Sequence, residues 1–277
     1  MDPFKRLPSG LVVEILSSAA NFAGVEGLLL ASPWVNSVLQ EQPARVTLDL
    51  IASNSITAMP EIQKLIRNIA ITYNPSIHCS CLEEHLQLCT NSDNNNTSGP
   101  DSTLLREQMT TSEIFAIIHI AANTQRLACM CFQTMHQNFI SAVAESRDSE
   151  AAQKAAQPVV WIEVYRVYWS LWHLQHYSSL RKTAQHRWGW SKESVRKLGE
   201  TYVTWNNLYF RISEQIWTVA ANVADLGLRP LYGHSAKENL NEGEEDKEGA
   251  EEKLDEEESS KPAWAFPLET PYHSSHR

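Results

Sequence analysis

The chain has 277 residues, 43% of them hydrophobic, and a formal net charge of −10 at pH 7, enough apolar material for the core of one or two domains. The charge is concentrated: residues 237–258 hold twelve acids against Lys237, Lys247 and Lys253, which leaves a net of −1 for all the rest. A nearly neutral body lacks the basic excess that salt-dependent phosphate binding needs, which argues against a nucleic-acid-binding surface. The first residues carry no secretory apolar run. The most apolar stretch, Ile114 to Ala122, is short and contains His119, so no membrane span is expected. Five cysteines, an odd number, fit free thiols in cytosol or nucleus better than a disulfide framework.

In chain order, the first helix is expected from Leu7-Pro8, where the proline suits a first turn whose N–H would be unpaired anyway. Leu11, Val12, Ile15 and Leu16 follow at i, i+1, i+4 and i+5 and make one apolar stripe, with Glu14 and Ser18 on the wet side. Ser32-Pro33 is a second start, a cap followed by proline at the first helical position, with Trp34, Val35, Val38 and Leu39 as its apolar residues. Between them, Leu28 to Ala31 is expected to form a short helix that ends before Pro33. Three short helices in about forty residues cannot bury a self-sufficient core. On Asp2-Pro3-Phe4, Leu7-Pro8, Glu14-Ile15-Leu16 and Leu29-Leu30-Ala31-Ser32-Pro33, the segment resembles the F-box, in the form common in fungal proteins, over about residues 2–41. The resemblance implies docking to the Skp adaptor of Skp–cullin–F-box ubiquitin ligases. Leu7, Pro8, Leu11, Ile15, Leu16, Leu29 and Trp34 stand at positions that the family uses for the adaptor contact or for holding its three helices. Without the resemblance, the same residues read as an amphipathic hairpin at the start of the chain.

Ala44 to Ala52 fits either element, since Val46, Leu48 and Leu50 alternate while Ile51 suits a helical stripe; helix is expected. From Pro60, the residues Ile62, Leu65, Ile66, Ile69 and Ala70 mark an amphipathic helix ending before Asn74-Pro75. His78, Cys79, Cys81, His85 and Cys89 then lie close together, but Cys79 and Cys81 are one residue apart and no second pair follows. That spacing points to thiols packed on a short helix rather than to a metal site. Residues 91–103 have no large apolar side chain to offset the entropy of ordering and are expected to be a flexible loop. From Thr111 to Glu145, Ile114, Ile118, Ala121, Ala128, Phe132, Met135, Phe139 and Ala142 step by fours and threes. With Ile117, Ile120, Leu127 and Cys131 beside them, they describe a long helix, or two in line, at the centre of a bundle.

An alanine-rich connection over 146–157 leads to Pro158 and the aromatic part of the chain, where seven of the nine tryptophans lie between residues 161 and 217. Arg166, His173, His176, Arg181, Lys182 and Arg187 are interleaved, a mixture that single-stranded nucleic-acid binders also use. Trp161, Tyr165, Tyr168 and Trp172, however, share one helical face, as core aromatics do. Trp188-Gly189-Trp190 turns the chain, and Ser191 caps a last long helix. Along it Val195, Leu198, Tyr202, Trp205, Tyr209, Ile212, Ile216, Val219 and Val223 repeat without a polar interruption, either as a seam within a bundle or as a coiled-coil surface. Gly227 and Pro230 end it. Residues 234–262 are acidic and expected to be disordered. After them Trp264, Phe266 and Tyr272 sit among Pro262, Pro267 and Pro271, as a short linear motif or as a segment that docks back on the body.

The expected fold is therefore all-α: an F-box-like module over 1–41, a helical body over 42–233, and an acidic disordered tail over 234–277. No phosphate-binding glycine loop, nucleophile elbow, dinucleotide fingerprint or His-Glu-x-x-His pair is present, so no catalytic, cofactor or metal residues are expected. Nor is there a leucine-rich, WD or kelch repeat. Three functions compete. One is a ligase substrate receptor that joins the Skp adaptor and cullin complex to an unidentified protein substrate. The second is a helical interaction scaffold whose F-box-like segment is structural. The third is a helical enzyme assembled from residues such as Glu163, His173 and His176.

Overall fold

The structure, a computed structural model, describes residues 2–19, 21–94, 109–146, 150, 153, 157–205 and 210–226. Side chains at 91–94, 145–146, 203–205, 210–212 and 225 are not among those described. The described residues form helices and no strand. A 3₁₀ turn, Pro3–Arg6, precedes α1 (Ser9–Ser18), α2 (Phe22–Ala31), α3 (Pro33–Glu41), α4 (Pro43–Ser53), α5 (Pro60–Tyr73) and α6 (Leu82–Asn94). There follow α7 (Thr111–Ser146), α8 (Trp161–His186), α9 (Lys192–Trp205) and α10 (Phe210–Asp225).

Prolines set most of the early helix starts. Pro33, Pro43 and Pro60 each open a helix at its first turn, where the lost N–H costs nothing. Pro8 sits one position earlier than expected, as the extended N-cap of α1, and its carbonyl accepts from the Leu11 and Val12 amides. At the α2–α3 junction the axis bends by 115°, because Ser32 leaves the helical region and its hydroxyl takes the Val35 amide at 3.1 Å. Gly189 supplies the other sharp turn: at φ +66°, a region open to glycine, it lets the Trp190 amide bond back to the Ala184 carbonyl at 2.8 Å.

Two apolar clusters make the core. The first joins α1 to α5 with the N-terminal half of α7 and Trp172 of α8; the second joins Cys79 and Leu82, the middle of α7, and α8, α9 and α10. Helices α7 and α8 run through both, and Tyr168 and Trp169 pack against each cluster. Trp172, Tyr177 and Tyr202 are fully buried, and rings of this size bury about 150–250 Å² each, a gross transfer gain of roughly 4–6 kcal/mol apiece. Helix α7 is long and apolar enough to cross a membrane, but 56% of its most apolar stretch is buried within the fold.

A clasp joins the α8–α9 turn to the segment before α6. The Trp188 indole N–H donates to the Ile77 carbonyl at 2.9 Å and that of Trp190 to the Cys79 carbonyl at 2.7 Å. The two indoles stack 5.7 Å apart, so an irregular stretch of backbone is satisfied by side chains where no ladder or helix could satisfy it.

Several boundaries differ from the sequence reading. Helix α2 begins at Phe22, not Leu28, because Asn21 caps it through the Gly24 amide at 2.9 Å. Its buried residues Phe22, Val25, Glu26 and Leu29 follow helical spacing that two glycines and an acid obscure. Helix α6 continues to Asn94, so 91–94 are helical; the rest of the expected loop, the connection at 147–149, 151–152 and 154–156, and the tail lie outside the described residues. The final seam is described as two helices, with 206–209 between them outside. Val195, Leu198, Tyr202, Ile216, Val219 and Val223 are buried as expected; Trp205, Tyr209 and Ile212 are not among the described side chains. At the far end of α7, Phe139 is 46% exposed rather than part of a covered seam. Trp161, expected in the core, is half-exposed and stacks on Tyr165 at 5.3 Å.

Candidate functional site

The N-terminal turn is tied down by one carboxylate. Asp2 accepts the Phe4 amide at 2.9 Å with one oxygen; the other takes the Ser32 hydroxyl at 2.7 Å and the Trp34 amide at 3.2 Å. The Ser32 hydroxyl first, and then the Trp34 and Phe4 amides, hold the Asp2 carboxyl below its ordinary value. Asp2 thereby caps the start of α3, where a negative charge is favoured. Trp34 completes the arrangement by donating its indole N–H to the Leu7 carbonyl at 3.3 Å. The motif residues Asp2, Leu7, Ser32 and Trp34 thus form one hydrogen-bonded support beneath Pro8 and the first turn of α1.

On that support α1 divides its apolar residues. Val12 and Leu16 are buried, whereas Leu11 and Ile15 are 48% and 43% exposed. The two lines are one residue apart, so they lie about 100° apart around the helix, wider than the arc that the core covers. Pro8 is also exposed and, at i, i+3 and i+7 with Leu11 and Ile15, extends the same ridge. Leu7 and Trp34 are half-buried against the first cluster, and Leu16 and Leu29 lie inside it. Of the seven residues singled out by the resemblance, Pro8, Leu11 and Ile15 are therefore at the surface, and the other four hold the module together. Leu30 on α2, 81% exposed, is a further surface apolar residue that spacing did not single out.

The module is also fixed to the body by a polar latch that the sequence did not reveal. Glu26 of α2 is buried and receives His119 and Arg126 of α7, one on each carboxylate oxygen. Asn123 bridges the two, 2.9 Å from each, and Gln125 accepts the Ala23 amide at 3.0 Å. Burial pushes the Glu26 carboxyl up, but the hydrogen bonds and charges of Arg126 and His119 outweigh this and lower it. The only sequence signal was the i, i+7 placement of His119 and Arg126 on one helical face.

A second polar assembly lies deep in the body. Tyr202 of α9 donates its hydroxyl to the His173 carbonyl at 3.1 Å, and its oxygen lies 2.9 Å from His176 Nδ1 and 3.3 Å from His173 Nδ1. A hydroxyl has one proton and two lone pairs, so the arrangement is satisfied when both imidazoles are neutral and protonated on Nδ1. His85 of α6 is buried nearby, its Nε2 3.6 Å from the Cys89 sulfur and its ring 5.5 Å from that of Trp188. Burial keeps His173, His176 and His85 well below, and Tyr202 well above, their ordinary values. Glu163 is not part of this assembly: ten residues away and so about 15 Å along the axis, it caps the Val160 amide at 2.9 Å. No group of three potential metal ligands occurs among the described residues.

Comparison of the chain with protein-family models, curated proteins and solved structures finds no match.

Proposed function

We propose that this chain is a non-catalytic docking subunit of F-box type, which engages a Skp adaptor in the cytosol or nucleus and presents a protein substrate on its helical body. The observation that carries the reading is the ridge Pro8, Leu11 and Ile15, an apolar surface left outside on a helix whose own core face is already filled. An apolar ridge exposed on a rigid support is the form of a partner site, and the support consists of the residues on which the F-box resemblance rests. The buried state of the histidine assembly supports a structural role for it, so the enzyme reading gains nothing from its geometry.

The test is a titration of purified full-length protein against Skp adaptor, comparing wild type with Leu11→Lys/Ile15→Lys. Both residues are half-exposed, so the variant should melt like wild type while its affinity falls by about thirty-fold or more, as loss of central apolar anchors produces. No wild-type binding at high micromolar concentration, or equal affinity in the variant, refutes adaptor docking. The scaffold reading would then stand in its place.

A further inference from the structure

A cleft of about 710 Å³ opens between the end of α7, the start of α8 and the middle of α10, within the size range of peptide and small-molecule sites. Phe132, Met135 and Phe139 of α7, Val160 and Val167 at the start of α8, and Val219 of α10 supply its apolar wall. Ile140, Trp161 and Ile162, next to these residues in sequence, are also exposed. Arg166 is the one arginine or lysine on the wall, while the Glu163 carboxylate there is engaged with the Val160 amide.

We infer that the chain's own C-terminal segment, Pro262–Tyr272, docks in this cleft. The segment Pro-Ala-Trp-Ala-Phe-Pro-Leu-Glu-Thr-Pro-Tyr brings Trp264, Phe266 and Leu268 together after a long acidic stretch. Three prolines in eleven residues favour an extended conformation with little entropy to lose, the form in which proline-rich segments enter aromatic-lined grooves. Glu269, next to the apolar group, supplies the charge that Arg166 complements.

Connectivity supplies the second argument. Helix α10 forms one wall, and from Val219 to Leu226, the last described residue, the chain advances only about 10 Å. Thirty-five residues then separate Leu226 from Pro262, and a chain of that length treated as a random coil has a root-mean-square span of roughly 30–35 Å. The segment is therefore tethered within reach of the cleft at an effective concentration of order millimolar, which makes even a weak apolar contact populated. The inference does not depend on adaptor docking at α1, which uses other residues at the other end of the chain.

Hydrogen exchange read by mass spectrometry on the full chain tests it, with wild type, Trp264→Ala/Phe266→Ala and Phe139→Glu/Val160→Glu compared. Phe139 and Val160 are about half-exposed, so charges there spare the core, and a melting curve checks this. In wild type the amides of 262–272 should exchange about tenfold more slowly than in the isolated peptide. Both variants should remove that protection, and the tail variant should also speed exchange across 132–140 and 158–164. Intrinsic-rate exchange of 262–272 in wild type overturns the inference. So does protection that survives Phe139→Glu/Val160→Glu, or cleft exchange that is indifferent to Trp264→Ala/Phe266→Ala. Protection that grows with protein concentration also overturns it, by assigning the cleft to the tail of a second copy. The tail variant, whose substitutions fall outside the described helices α1 to α10, keeps the test decisive if the cleft variant fails to fold.

Discussion

Mild acid should destabilise this protein before its carboxylates begin to titrate. Three buried histidines are responsible. Burial lowers His85 to about 4 and His173 to about 3; it also holds His176 well below its ordinary value, with the charges of His85, His173 and Lys64 adding to the effect. In the unfolded chain each imidazole takes up a proton near pH 6.5. Between that pH and the depressed folded values the unfolded state binds more protons, so stability is fully present above about pH 7 and is lost as pH falls. From pH 7 to pH 5 each group accounts for about 2 kcal/mol, and the three together for about 5–6 kcal/mol. That is comparable with the whole stability of an ordinary domain, roughly 5–15 kcal/mol. Urea unfolding followed by circular dichroism at several pH values between about 5 and 7.5 measures it directly. The slope should approach about 4 kcal/mol per pH unit near the acid end, and His173→Gln should remove about a third of it. A stability that changes by less than about 1 kcal/mol across this range would refute the assignment of three neutral, buried imidazoles.

Two further predictions concern the ties between elements. Glu26→Ala should cost about 1–2 kcal/mol in urea unfolding, a moderate figure because Arg126 and His119 are half-exposed and can solvate once released; a double-mutant cycle with Arg126→Ala that gives coupling below about 0.3 kcal/mol would mean that the latch holds nothing. Trp190→Phe keeps the ring stack but leaves the buried Cys79 carbonyl without its donor, and should cost about 1–3 kcal/mol and speed amide exchange over 77–81; unchanged exchange there would remove the clasp from the account.

What could be read from the sequence depended on how many partners each signal needed. Helix starts at Pro33 and Pro60 and the face of α5 were legible because proline geometry and a 3.6-residue period are properties of a short window. Helix α2 was cut short because Gly24, Gly27 and Glu26 interrupt its stripe. What restores it is the pairing of Glu26 with His119 and Arg126 about a hundred residues away, and no local window contains that. The first stripe was legible as apolar but not as divided, since which of Val12/Leu16 and Leu11/Ile15 faces inward is decided by where α2, α3 and α4 lie. The buried histidine assembly was hidden for the same reason: His85, His173, His176 and Tyr202 come from three helices, and histidine taken singly carries little information. Trp161 and Phe139 were misplaced because helical spacing identifies a face but cannot say whether the neighbouring helix reaches far enough to cover its end.

The latch also changes what adaptor docking would mean mechanically. A module of three short helices joined to a body by a flexible linker would leave a bound substrate free to swing, and its docking residues could be truncated with no effect on the body. Here α1 packs on α3 and α4, α2 packs along α7, and Glu26 pins α2 to α7 through two side chains. An adaptor on the α1 ridge would therefore hold the whole helical body in a fixed orientation. The same coupling separates two kinds of substitution within one motif. Leu11→Lys/Ile15→Lys alters only the outer line. Leu7→Ala or Leu16→Ala removes side chains packed in the first cluster, where a large-to-small change at a fully buried leucine such as Leu16 costs about 2–5 kcal/mol, so lost binding in those variants would report unfolding as readily as a lost contact. Docking and stability are separable on the outer line of α1 and nowhere else among the seven motif leucine, proline, isoleucine and tryptophan positions, which is why the outer line carries the decisive test.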